Sequence, residues 1–154
     1  MKYAHVQRIA LAMVAGGLAL GLGACSTLFG PQYRAGDGKI TAAASIDSSS
    51  LQVGDCIVNV SDLGDSVNKI AVVPCTTPHE AEVYATSKSQ ANDKTTLDQF
   101  CTDAFQPYVG IDFDETALEV TYIHSDEKQA TTDVQCILYQ TGQMVTSSYK
   151  DSQQ

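Results

Sequence analysis

The residues that invite a chemical reading lie between Cys56 and Glu82. Pro78-His79-Glu80-Ala81-Glu82 puts an imidazole beside two carboxylates, and Cys56 and Cys75 bring sulfur into the same stretch. Imidazole with carboxylate is a ligand set for zinc-type ions and also the material of acid–base catalysis. Strand parity argues against the metal. Glu80-Ala81-Glu82-Val83-Tyr84-Ala85 alternates, so it reads as a strand. Ala81, Val83 and Ala85 then share one face, joined in parity by His79, while Glu80, Glu82 and Tyr84 share the other, expected to be wet. His79, Glu80 and Glu82 therefore cannot all ligate one ion. They stand as candidate binding residues, and no metal is expected. The structural reading of His79 is a buried ring that bonds backbone groups freed where Pro74 and Pro78 interrupt the ladder.

Other catalytic constellations are missing from the sequence. A serine hydrolase needs a nucleophile in a strained elbow, and no Gly-x-Ser-x-Gly occurs. A glycosidase needs two opposed carboxylates, and 18 acids offer too many pairs to single one out. Asp112, Asp114 and Glu115 suggest calcium, but the glycine and distal glutamate of the calcium loop are lacking, so they read as a solvated acidic loop. No catalytic residue and no cofactor is assigned, and the chain is not expected to be an enzyme.

The start of the chain reads as delivery. Lys2 and Arg8 precede an apolar run from Ile9 to Leu22, short of the roughly 20 residues that a membrane span needs. A charged start, a short apolar core and small residues at its end make a secretory signal. It closes Leu22-Gly23-Ala24-Cys25, which resembles the lipobox of bacterial lipoproteins. That resemblance implies a diacylglycerol on the Cys25 sulfur, cleavage after Ala24 and an acylated new N-terminus, with palmitate as one such chain. Two or more acyl chains anchor stably where one is marginal. The expected location is the extracytoplasmic face of the cell membrane, held by lipid at Cys25.

Residues 1–24 are thus read as signal peptide and 25–50 as lipidated N-terminus and flexible linker, rich in Gly, Ala and Ser. The weaker alternative for the linker is an edge strand at Ile40 or Ile46. Residues 51–149 make one domain of ordinary size, and 150–154 a loose tail. Losing Lys2 and Arg8 leaves 7 bases against 18 acids, a net charge of −11. Such a domain is poorly suited to nucleic acid or anionic headgroups.

Of five cysteines, four remain once Cys25 is lipidated. An even number in a small exported domain reads as disulfides, and no Cys-x-x-Cys suggests a redox pair. Cys56 to Val60 and Lys69 to Val73 form a hairpin about Gly64 and Asp65, with Val60 facing Ile70 and Val58 facing Val72. Cys56 then falls near Pro74 or Cys75, which favours Cys56–Cys75 and leaves Cys101–Cys136. Ser87 to Lys94 reads as a loop. Thr96-Leu97-Asp98-Gln99 has the form of a capping box opening a helix that Pro107 stops. Leu97, Phe100, Cys101, Ala104 and Phe105 share its stripe. Leu118 to Ile123 and Val134 to Tyr139 complete the strands, and Met144 to Tyr149 is a candidate short edge. The expected fold is α+β: a small antiparallel sheet of about five strands, one packed helix, two disulfides.

Gly54-Asp55-Cys56, then Val73-Pro74-Cys75-x-x-Pro78-His79-x-x-Glu82-Val83, then Cys101 on a helix followed by Tyr108-x-Gly110, then Cys136 on a late strand, resemble the septum-formation domain of actinobacterial envelope proteins. Where members often carry a tryptophan, this chain has none. The resemblance implies a setting in septum formation or cell-envelope growth. The expected function is a membrane-anchored, non-catalytic interaction module with a protein or cell-envelope partner. A ligand- or metal-binding envelope domain is the alternative.

Overall fold

β-branched segments punctuated by Gly, Pro and polar turns make this chain mostly sheet. The computed structural model describes residues 33–64, 68–124 and 130–154. The expected signal, lipobox and Cys25 lie outside the described residues, as does the turn at Asp65. Six strands form one antiparallel sheet: β1 (Ala44–Asp47), β2 (Cys56–Ile57), β3 (Lys69–Val73), β4 (Ala81–Ala91), β5 (Glu119–His124) and β6 (Thr131–Tyr139). Their order is β1-β3-β2-β4-β6-β5. The single α-helix among the described residues is α1 (Lys94–Val109).

Several boundaries differ from the sequence expectation. The edge strand at Ile46 forms, so the described part of the stretch read as flexible linker, residues 33–50, is ordered. Ile46 pairs Ile70 across β1 and β3, and Ile40 and Ile46 are buried. Two isoleucines suffice here because their partners already form a sheet edge. Strand β2 is shorter than expected, since Val60–Asp62 turns as a 3-10 helix and the Val60 N–H donates to Glu80 Oε2 at 2.8 Å. The hairpin register is one residue off the expectation, with Cys56 opposite Val73 and Ile57 opposite Val72. The expected loop from Ser87 is instead the end of β4, which runs to Ala91 beside Thr131 of β6.

The helix also begins earlier. Asp93 caps it, accepting from the Thr96 N–H at 2.9 Å and the Thr96 hydroxyl at 2.7 Å. Those donors hold the Asp93 carboxyl below the ordinary carboxylate range. Thr96 is thus a donor to the cap and does not open a capping box. Pro107 sits inside the last turn, where its missing N–H costs one bond but does not stop the helix. Gly110 ends it at φ 95°, a left-handed conformation that favours glycine.

Each face of the sheet buries its own cluster. One holds Ile46, Ile57, Ile70, Val72, Ala81, Val83 and Ile137. The other packs Leu97, Cys101, Phe105 and Tyr108 of α1 on Tyr84, Val134, Cys136, Leu138 and Tyr149. The face of β4 expected to be wet is therefore covered: Glu82 and Tyr84 are 0% and 3% exposed. Alternation separates the two faces of a strand without saying which is covered, and here α1 and the segment ending at Tyr149 do the covering. The tail is also held. Asp151 and Gln153 N–H groups donate to Tyr108 O and Val109 O at 2.9 and 3.0 Å.

Both disulfides have the expected pairing, Cys56–Cys75 and Cys101–Cys136. The first ties β2 to the turn after β3, and the second ties α1 to β6.

Candidate functional site

Short β2 is hydrogen-bonded on both edges, with Cys56 opposite Val73 of β3 and Glu82 of β4. Cys56 and Glu82 thus lie side by side on one face, beside the turn that carries Cys75. Above them runs a groove of about 890 Å³, lined by Lys39, Val53, Cys75, Thr76, Glu82, Tyr108, Ser148 and Lys150, among others. Its floor is a buried carboxylate and a disulfide.

Glu82 is fully engaged by the protein. Its Oε1 accepts from the Tyr108 and Ser148 hydroxyls, each at 2.6 Å, and its Oε2 accepts from the Tyr149 N–H at 2.7 Å. Three donors satisfy this carboxyl group at zero exposure. Tyr108 is pushed up from the ordinary phenol value, first by burial and then by the Glu82 charge. The carboxylate therefore fastens β4 to α1 and to the chain's last residues.

A second buried carboxylate, Asp55, lies between Gly54 of the groove lining and Cys56. Asp55 is 1% exposed and receives both arms of the Arg34 guanidinium, at 2.6 and 2.5 Å. The Gln52 N–H adds a third bond at 2.8 Å. The Asp55 bond is the largest cause raising the Arg34 pKa. Arg34 also donates to Gly38 O at 2.6 Å, so this pair closes the turn whose Lys39 lines the groove. Sequence reasoning missed Arg34, although the chain has only one other arginine, Arg8.

His79 is fully buried, as its structural reading required. Its N–H donates to Val145 O at 3.0 Å and its carbonyl accepts from the Val145 N–H at 2.9 Å. Its Nδ1 bonds Thr77 O at 2.8 Å, and its Nε2 is buried with no partner among the described residues. The ring meets Tyr149 edge-on at 6.5 Å. Tyr149 also donates to Glu82, so the ring lies on the Glu82 side of the sheet, not with Ala81 as parity indicated. The bend at Glu80, whose N–H reaches Ile57 O and Val58 O, breaks the alternation. Among the described residues, His79, Cys56 and Cys75 come within 4.8 Å of one another through one ligand atom each. Both sulfurs are in a disulfide, so neither is a thiolate ligand. Glu80 does not join them, being half-buried and bonded to Val60 N.

The described residues thus form a six-stranded, two-disulfide α+β domain with a groove over a buried carboxylate. Its sequence is similar to proteins named "Putative lipoprotein LppN" in Mycobacterium tuberculosis and Mycobacterium bovis, each 32% identical over 108 residues. The match covers 64% of this chain and 62% of each relative, so it spans less than two thirds of their length. No family model and no solved structure matches the chain. No helix among the described residues is long and apolar enough to cross a membrane.

Proposed function

We propose that the protein is a lipoprotein, anchored through Cys25 on the extracytoplasmic face of the membrane. There it acts as a non-catalytic interaction module that offers the groove to a protein or cell-envelope partner. The lipobox-like Leu22-Gly23-Ala24-Cys25 and the lipoprotein relatives support the anchor. The septum-formation resemblance supports a setting in envelope growth. The observation that carries the role is Glu82: its oxygens are spent on Tyr108, Ser148 and Tyr149. The groove's buried acid is then a fastener, and the open lining with exposed Val53 and Thr76 is a surface for contact.

Two experiments test the two halves. Cys25→Ala should move the protein out of the detergent phase, and unchanged partitioning would sink the anchor. Val53→Lys should abolish association with the cellular partner at unchanged melting temperature, and undiminished association would remove the groove from the account. The groove's volume also favours a second reading, a site for a small envelope ligand. A melting temperature raised by an added cell-wall fragment, zinc or calcium would favour it over the protein partner.

A further inference from the structure

The two disulfides sit in unlike surroundings. Cys101 and Cys136 are 1% and 0% exposed beneath α1. Cys75 is half-buried and lines the groove, with Cys56 fully buried behind it. Gly54 O lies 3.4 Å from Cys75 Sγ. A ring nitrogen of His79 is within 4.8 Å of the two sulfurs. Because a carbonyl only accepts, the bond to Thr77 O places the proton on Nδ1 and a lone pair on Nε2. That lone pair is buried and unpartnered among the described residues, which a ring kept only for packing does not need.

We propose that Cys56–Cys75 is a thiol-exchange site, at which a partner's thiolate enters through the groove and attacks Cys75 Sγ. A bond forms between the partner sulfur and Cys75 Sγ, the Cys56–Cys75 bond breaks, and its electron pair leaves on Cys56 Sγ. His79 takes up a proton from water at Nε2, and the resulting imidazolium stands beside the Cys56 thiolate. His79 is thus a positioning residue for charge. A second thiol of the same partner then attacks the partner's sulfur in the mixed disulfide and releases Cys75 as a thiolate. The partner dithiol is oxidised to a disulfide, and Cys56–Cys75 is reduced by the same two electrons. Cys101–Cys136, with both residues almost fully buried, is the less accessible bond and keeps the fold stapled meanwhile. The exchange does not depend on the lipid anchor.

The test uses reduced glutathione as the probe on the folded protein, with alkylation and peptide mapping. The expected product carries glutathione on Cys75 and the alkyl group on Cys56, with Cys101–Cys136 intact. In His79→Asn, whose amide retains a donor for Thr77 O, adduct formation should slow about tenfold at unchanged circular dichroism. Glutathione on Cys56, both disulfides opening together at the rate of global unfolding, or an unchanged rate in folded His79→Asn would each overturn the proposal. If that variant does not fold, the ultraviolet absorbance of the singly reduced native protein decides. Thiolate absorbance at neutral pH supports the pair, and its absence overturns it.

Discussion

The two stapled regions divide the labour of this small domain. Around Cys101–Cys136 the packing is mostly apolar: Leu97, Phe105, Val134 and Leu138 share its cluster, Tyr84 meets Phe105 edge-on at 5.9 Å, and the Tyr84 hydroxyl donates to Cys101 O at 2.7 Å. Around Cys56–Cys75 the contacts are polar and directional. Glu82 gathers Tyr108, Ser148 and Tyr149, Arg34 clasps Asp55, and His79 is bonded through its backbone and Nδ1. The first region is closed by apolar burial. The second is built from bonds that hold a groove open. A face can be left accessible only if the residues lining it are fixed by something other than burial in a core, and paired polar groups do that here.

If that contrast is right, removing each staple should have different consequences. The Cys101–Cys136 bond spans 35 residues and the Cys56–Cys75 bond 19. Loop entropy alone assigns them about 4 and about 3 kcal/mol. Replacing Cys101 and Cys136 by alanine should show the larger loss by denaturant titration, with a collapse of near-ultraviolet dichroism as the core loosens. Replacing Cys56 and Cys75 should cost less and leave that signal largely intact. Equal losses with equal spectral change would erase the distinction.

Glu82→Gln probes the polar side alone. It removes the charge from three buried bonds and sets an amide N–H₂ against donors, so about 2 kcal/mol should be lost. Amide exchange should rise at Tyr149, in β4 and around Tyr108 at the end of α1, while the first turns of α1 stay protected. Exchange that rises first around Leu97 and Cys101 would place Glu82 in the wrong region.

Alkaline pH presses on both regions. Burial raises the phenols of Tyr84, Tyr108 and Tyr149 above the ordinary value of 10.0, with Glu82 adding to the last two. In the unfolded chain they ionise near 10, while in the folded chain they stay neutral. Their contribution is therefore complete below pH 10 and is lost as pH rises above it. The denaturation midpoint should fall steadily beyond that point, and a flat profile there would contradict the burial of these rings. Smallest of all is Asp93→Ala. It removes the exposed cap of α1, and with it the part of stability that fades as pH falls through the lowered Asp93 carboxyl, so the melting temperature should drop by only a few degrees.

Both staples were legible, and the polar bonds around Cys56–Cys75 were not. Both cysteine pairings could be read because a hairpin and a helix stripe are local patterns, and an error of one residue in register still brought Cys56 to Cys75. Glu82 looked wet because its cover comes from Ser148 and Tyr149, 66 and 67 residues away. Nothing local in β4 records that contact. The bend at Glu80 turned His79 to the other side of the sheet, and parity counting assumes no bend. Arg34 lay in a Gly- and Ala-rich stretch that composition marks as linker, and its order comes from contacts that composition does not record: the distant Asp55 carboxylate, Gly38 O and the bridge to Ile40.

The most direct test of the division is site-specific photo-crosslinking in living cells, with the reactive group placed at Thr76 on the groove or at Thr102 on the exposed side of α1. The account predicts discrete crosslinked species from Thr76 and none above background from Thr102. Equal crosslinking from both positions, or crosslinking from Thr102 alone, would contradict the assignment of the Cys56–Cys75 groove as the working face.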